Sequence, residues 1–369
     1  MRIIGFKVFI LMTCLSFFGH SGCLFADYVM MCTFWESTIA RVYNVSDEGD
    51  IQYDYTLDID SEPVSICFSR NGKWGMVGCW TTSNPATQKT IILDIDENIK
   101  ISVLGFVHNE YQSLVSISPD SRYGIYGWDL NSVRFYPDNT YYTIPNDNPF
   151  IGNREASFSK LNHKLYVQQS SNKKVVECTL LEDGRTTITG EEVDISPSTG
   201  AQDLNVSPDG KTCIALSIIT YEISVIRIHP EGGASLVQQF NTISMNPYVV
   251  DFTPDSKYAV ISFYTSSQTP DFIIYRIGED SLLTEVDSLQ LPNDPGEDMA
   301  VTPDGKFAIT RFLILEHSGP RSYFYVVRIH EDGTLEYLPE RDYNCTGFVS
   351  DIKFVPPQRT AAGESWIRY

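Results

Sequence analysis

Four carboxylates recur at one register of a repeat. Seven β-like segments each end in a turn residue: Ser69, Ser118, Ser159, Ser207, Thr253, Thr302 and Val355. Four positions before these stand Ser65, Leu114, Glu155, Asp203, Val249, Asp298 and Asp351, so four of the seven are acids from different repeats. Carboxylates that meet around one axis would bind Ca²⁺ or another hard cation, which takes several oxygen ligands. Asp203 and Asp298 are the first candidates for that metal. Crowded together and desolvated, some of these acids would instead hold a proton and serve as acid or base. An Asp entering a strand also has a structural use, accepting hydrogen bonds from neighbouring backbone N–H groups.

The elements that must position these acids follow from the repeat. An alternating apolar run, a Ser/Thr-Pro-Asp-Gly-like turn and a second β run recur, as in LNVSPDGKTCIALSI, VDFTPDSKYAVISFY and MAVTPDGKFAITRFL. Successive turn residues are 49, 41, 48, 46, 49 and 53 positions apart. A second acidic turn falls between them seven times, as in Asp47-Glu48-Gly49 and Glu331-Asp332-Gly333. Two hairpins in a period of that length are the signature of four-stranded propeller blades. Gly or Asn is expected at the left-handed position of each turn. The fold class is all-β, a seven-bladed β-propeller in one domain spanning 27–369. The chain begins with YVMMCTFW, TIARVYNV and IQYDYTLDI, three strands with no innermost strand before them. The segment SDIKFVPP near the C-terminus is an innermost strand with no partners after it, so it should close the ring on the first blade.

With each blade's strands labelled A to D from the axis outward, the A–B and C–D turns share one face of the ring. The longer B–C and D–A loops surround the channel mouth on the other, and variable loops on a rigid scaffold carry function. His229, His330 and His163 fall on the turn face, whereas His108 and His317 fall on the loop face. Arg154, Arg311 and Tyr248 stand near the mouth as well, with Trp80, Tyr111, Trp128 and Tyr264 ending or opening strands there. No nucleophile elbow, phosphate loop or zinc-binding helix motif is present.

Composition bounds the rest. Arg2, Lys7 and the apolar run Val8–Phe18 read as an export signal over residues 1–26, with lipidation at Cys23 as the alternative processing. The chain is therefore expected to be secreted or periplasmic, with no transmembrane span. Its net charge of −20 argues against a nucleic-acid surface. Six of the eight cysteines follow residue 26, and Cys32 with Cys345 is the pair that ring closure would bring nearest.

The segments VSPDGKTCIALS, VTPDGKFAITRF, IRIHPEGGASLV and VVRIHEDGTLEYL resemble the YVTN-repeat and lactonase-like seven-bladed propellers, over essentially all of the chain after the signal. The resemblance implies a Gly-Pro-Arg-His type run entering an innermost strand. Here the Arg and His positions hold Tyr248 and Val249 in one such run, and Glu297 and Asp298 in another. The expected role is therefore a ligand- or protein-binding module working through the loop face, with an unidentified small molecule or protein as partner. The alternative is a lactonase-like hydrolase or lyase with a carboxylate or metal centre at the channel mouth.

Overall fold

A computed structural model describes residues 28–35, 37–80, 88–108, 114–146, 153–169, 172–196, 200–242, 245–264, 269–292, 298–316 and 319–358. The export segment, Cys23, Tyr111, Glu297, His317 and the last eleven positions lie outside them.

The described strands form seven antiparallel sheets: six have four strands, and the seventh blade has five because its outer strand is split. In the first, Phe348–Phe354 pairs with Tyr28–Trp35, followed outward by Ile39–Val45 and Ile51–Asp58. Cys32 faces Ile352 and Met30 faces Phe354, so the C-terminal strand is the innermost strand of the N-terminal blade, as expected. This closure leaves no open sheet edge between the first and last blades.

Each core cluster sits at a seam between neighbouring blades. Trp74, Met76 and Ile92 of the second blade pack on Tyr126, Val133 and Phe135 of the third. Met30, Tyr43 and Val349 of the first blade pack on Phe307, Phe324 and Val326 of the seventh. A blade's middle strands are covered on both faces, which is why they read as short continuous apolar runs. Trp74–Cys79 and Thr212–Ser217 are buried at every residue. Outer strands such as Ile51–Asp58 are largely exposed.

The Ser/Thr turn works through its hydroxyl. Ser207 donates to Asp209 Oδ1 at 2.7 Å and accepts from the Thr212 N–H at 3.0 Å. Thr253 and Thr302 repeat the pattern with Asp255 and Asp304. His163 occupies the left-handed position of its A–B turn (φ 58°), a conformational role. In the C–D turns that position is Gly or Asn in five blades but Ile99 (φ 61°) and Ser281 (φ 66°) in the second and sixth. In both, an Asp side chain, Asp96 or Asp280, accepts the backbone N–H two residues on and stabilises the turn.

Parts of the loop face are themselves strand. The region from Ile314 to Ser322 is a hairpin in which Phe307–Glu316 pairs with Gly319–Ile329 out to Glu316 opposite Gly319. Thr189–Asp194 belongs to a strand. The seventh blade's outer strand is split: Leu335–Tyr337 and Tyr343–Thr346 flank a 3-10 turn at Pro339–Arg341, and both pair with Gly319–Ile329. Cys32 and Cys345 share the core at the closing seam, yet both are free thiols, as are Cys67, Cys79, Cys178 and Cys213. Burial pushes the Cys32 thiol well up, so it stays protonated.

Candidate functional site

The innermost strands enclose an open well of about 520 Å³ on the ring axis. Ser65, Leu114, Glu155, Asp203, Val249, Asp298 and Asp351 all line it, the full register picked out in the sequence. Tyr248 and Arg311 line it too. Arg154 lies on the innermost strand Asn153–Phe158, with its side chain outside the described set. His108 is elsewhere: it ends the outermost strand of the second blade, exposed, with its ring edge-on to Phe106 at 5.2 Å. An outer strand is a blade's width from the axis, so His108 takes no part in the well.

Three aspartates of the innermost strands reach across seams. Asp203 Oδ2 accepts from the Val250 N–H at 2.8 Å. Asp251 Oδ2 accepts from the Val301 N–H at 2.8 Å. Asp351 Oδ2 accepts from the Ile66 N–H at 2.5 Å. The structural use of an Asp at this register is thus realised in Asp203 and Asp351.

Asp298 is different. Its Oδ1 accepts from the N–H of the next residue, Met299, at 2.9 Å. Its Oδ2 is buried, and no N–H or hydroxyl donor reaches it. The Asp298 and Asp351 carboxyls act on each other electrostatically, and two buried acids that do so ionise unevenly. Burial first, and then the Asp351 charge, hold Asp298 well above the usual carboxylate range. Asp351 is also raised by burial, against the pull of Lys353 and the Ile66 N–H. Burial pushes Asp203 up to about 6.

Lys353 completes the cluster. Its Nζ lies 3.8 Å from Asp351 Oδ1, and 34% of its side chain remains open to water. Protein surrounding the well weakens its charge, but Asp351, Asp298, Asp251 and Asp203 together more than offset that, so it stays charged far above neutral pH. Arg311 is buried, stacks over the Phe348 ring at 4.6 Å and bears electrostatically on Asp298.

Lys353 and Asp251 were missed by reading one register. Both stand two positions before their turn residues, the next same-face position of the innermost strand. Of that second register Lys353, Cys67, Ser116, Ser157 and Asn205 line the well, whereas Asp251 is not among the lining residues. The expected calcium site does not assemble: among the described residues no group of three or more His, Cys, Asp or Glu side chains could hold a metal ion. Asp203 and Asp351 are turned to backbone donors, and Lys353 supplies the positive charge among the acids.

No protein-family model and no curated protein sequence matches the chain. Solved structures do. A Bacteroides uniformis protein provisionally assigned as a 6-phosphogluconolactonase is 17% identical with a TM-score of 0.72, the match covering 89% of this chain and 100% of that one. A Bacteroides fragilis protein with the same provisional assignment is 14% identical with a TM-score of 0.71, over 90% and 99% of the two chains. The periplasmic gluconolactonase of Pseudomonas aeruginosa is 13% identical with a TM-score of 0.70, over 89% and 99%. Likeness at these identities establishes the seven-bladed propeller fold that these structures share. Among the described residues no helix is long and apolar enough to cross a membrane.

Proposed function

We propose that this protein hydrolyses small sugar lactones in the axial well. The observation that carries the reading is that the buried acids Asp298 and Asp351 line one well with Lys353 and Arg311, while burial and the Asp351 charge hold Asp298 toward its protonated form. Two acids that differ in protonation can supply both a base and an acid. The gluconolactonase and the provisional 6-phosphogluconolactonases of the same fold favour this reading over a binding module. The Arg and His of the lactonase-type run are replaced here, so the chemistry rests on carboxylates.

In this reading ionised Asp351 takes a proton from a water molecule as the water oxygen adds to the lactone carbonyl carbon. Asp298 delivers its proton to the ring oxygen as the acyl C–O bond breaks, giving a hydroxyl and a carboxylic acid. The acid product and Asp351 then release protons, and one returns to Asp298. Lys353 offsets the negative charge of the pair, and Arg311 holds the carbonyl oxygen by charge-assisted hydrogen bonding.

The test is a pH-stat assay of gluconolactone hydrolysis, corrected for the spontaneous rate. Wild type should accelerate hydrolysis and Asp298→Asn should not. Binding of the lactone without acceleration would return the protein to the binding-module reading. Export through residues 1–26 belongs to the proposal, and N-terminal sequencing of the mature protein checks it, with a start near Asp27 expected.

A further inference from the structure

We infer, resting on the lactone-hydrolase reading, that the well selects neutral polyhydroxylated substrates and rejects their phosphate esters. A phosphate dianion needs donors that no other anion already occupies: cationic side chains, or backbone N–H groups converging at one place. Both kinds occur along the innermost strands, and both are taken. The N–H groups of Ile66, Val250 and Val301 are held by the carboxylates of Asp351, Asp203 and Asp251. Lys353 is faced by those three acids and by Asp298, and Arg311 is faced by Asp298.

Charge counting points the same way. Glu155, Asp203, Asp298 and Asp351 line the well against Arg311 and Lys353. A dianion entering it would approach several carboxylates at short range in a confined space, where like-charge repulsion is strongest. The chain's net charge of −20 adds a long-range field that turns anions away.

The opposite wall suits hydroxyls. Ser116, Ser157 and Asn205 line the third to fifth blades' side. The Ser157 hydroxyl donates to Asn205 Oδ1 at 3.3 Å, and Asn205 Nδ2 donates to the Val250 carbonyl at 3.3 Å. Asn205 Oδ1 also accepts from the Val206 N–H at 2.9 Å, so the groups able to exchange partners with a polyol are the Ser157 hydroxyl and the Asn205 Nδ2, whose bonds are long. A neutral lactone would place its ester at Asp298 and Asp351 and its hydroxyls along this wall.

Calorimetric titration of the mature chain with gluconolactam, a neutral analogue that resists hydrolysis, and with its 6-phosphate tests the inference without relying on turnover. The neutral lactam should bind about tenfold more tightly or better. In Asp203→Asn, whose amide oxygen can still accept from the Val250 N–H, Lys353 loses one of its four acids and the preference should narrow. Equal or tighter binding of the phosphate ester by wild type overturns the selectivity, as does binding of neither compound. A preference for the lactam with no hydrolysis of gluconolactone leaves the selectivity standing and removes the hydrolase reading alone.

Discussion

Asp203 Oδ2 accepts a hydrogen bond from the backbone N–H of Val250 at 2.8 Å, across the seam between the fifth and sixth blades. Asp251 and Asp351 make the same bond to Val301 and Ile66 at the next seam and at the one after ring closure. The acids that crowd the well therefore also sew the ring, so stability and chemistry share residues.

That sharing makes Asp251 the cleanest probe of the seam, because it is not part of the reacting pair. Asp251→Ala leaves the Val301 N–H without its acceptor and should lower unfolding free energy by roughly 1–3 kcal/mol. Asp251→Asn keeps an oxygen in place and should cost less. Denaturant unfolding of the two variants separates them. Equal stability of Asp251→Ala and wild type would mean the bond contributes nothing.

Stability should depend on pH in a direction set by these same acids. Asp203 is raised to about 6, and Asp251, Asp298 and Asp351 are raised as well, burial being the main cause in each. Between the ordinary carboxylate value of about 4 and the raised one, the folded state holds more protons than the unfolded chain. Stability then falls as pH rises through that window, and acidification from neutral to about pH 5 should raise the melting temperature. The turn acids Asp120, Asp255 and Asp304 are held below their usual range, with hydroxyl and backbone hydrogen bonds outweighing burial. Their contribution is lost on further acidification below about pH 4, so stability should peak between the two regimes. Asp203→Asn should flatten the upper limb of the melting-temperature profile. A profile that rises steadily from pH 5 to 8 would contradict the raised values.

Closure can be tested in two steps. A chain ending before Phe348 lacks the innermost strand of the first blade and should fail to fold cooperatively. A chain ending at Val355 keeps that strand but loses Gln358, whose Nε2 donates to the carbonyls of Gly72, Ile95 and Asp96 in the second blade. It should fold with a loss of about 1–2 kcal/mol. Circular dichroism melts distinguish the two outcomes.

The blades were legible because four of them carry the full punctuation of a hydroxyl, an Asp and a left-handed residue at fixed spacing, and the others keep enough of it to hold the period. Closure was legible because the first three strands lack an innermost partner. The lining register of the well was legible for the same reason, since side chains on one face of a strand recur every second residue. What the acids do there was not. Sequence places Lys353 two residues after Asp351, but only the ring brings it within reach of Asp203 and Asp251 from the fifth and sixth blades. His108 resembled a mouth residue because position along a strand says nothing about distance from the axis. The end of the seventh blade's long hairpin was not legible, because Ser318-Gly319-Pro320 interrupts the apolar pattern, although Phe307–Glu316 and Gly319–Ile329 pair up to that point.

The measurement that bears most directly on the central claim is kcat for gluconolactone across pH in wild type, Asp298→Asn, Asp351→Asn and the double variant. The account predicts acceleration by wild type with a bell-shaped profile. Each single variant should lose roughly 100-fold or more, and the double variant should be little worse than either, because the two acids act as one unit. Wild-type rates in the double variant, or no acceleration by wild type, would contradict it.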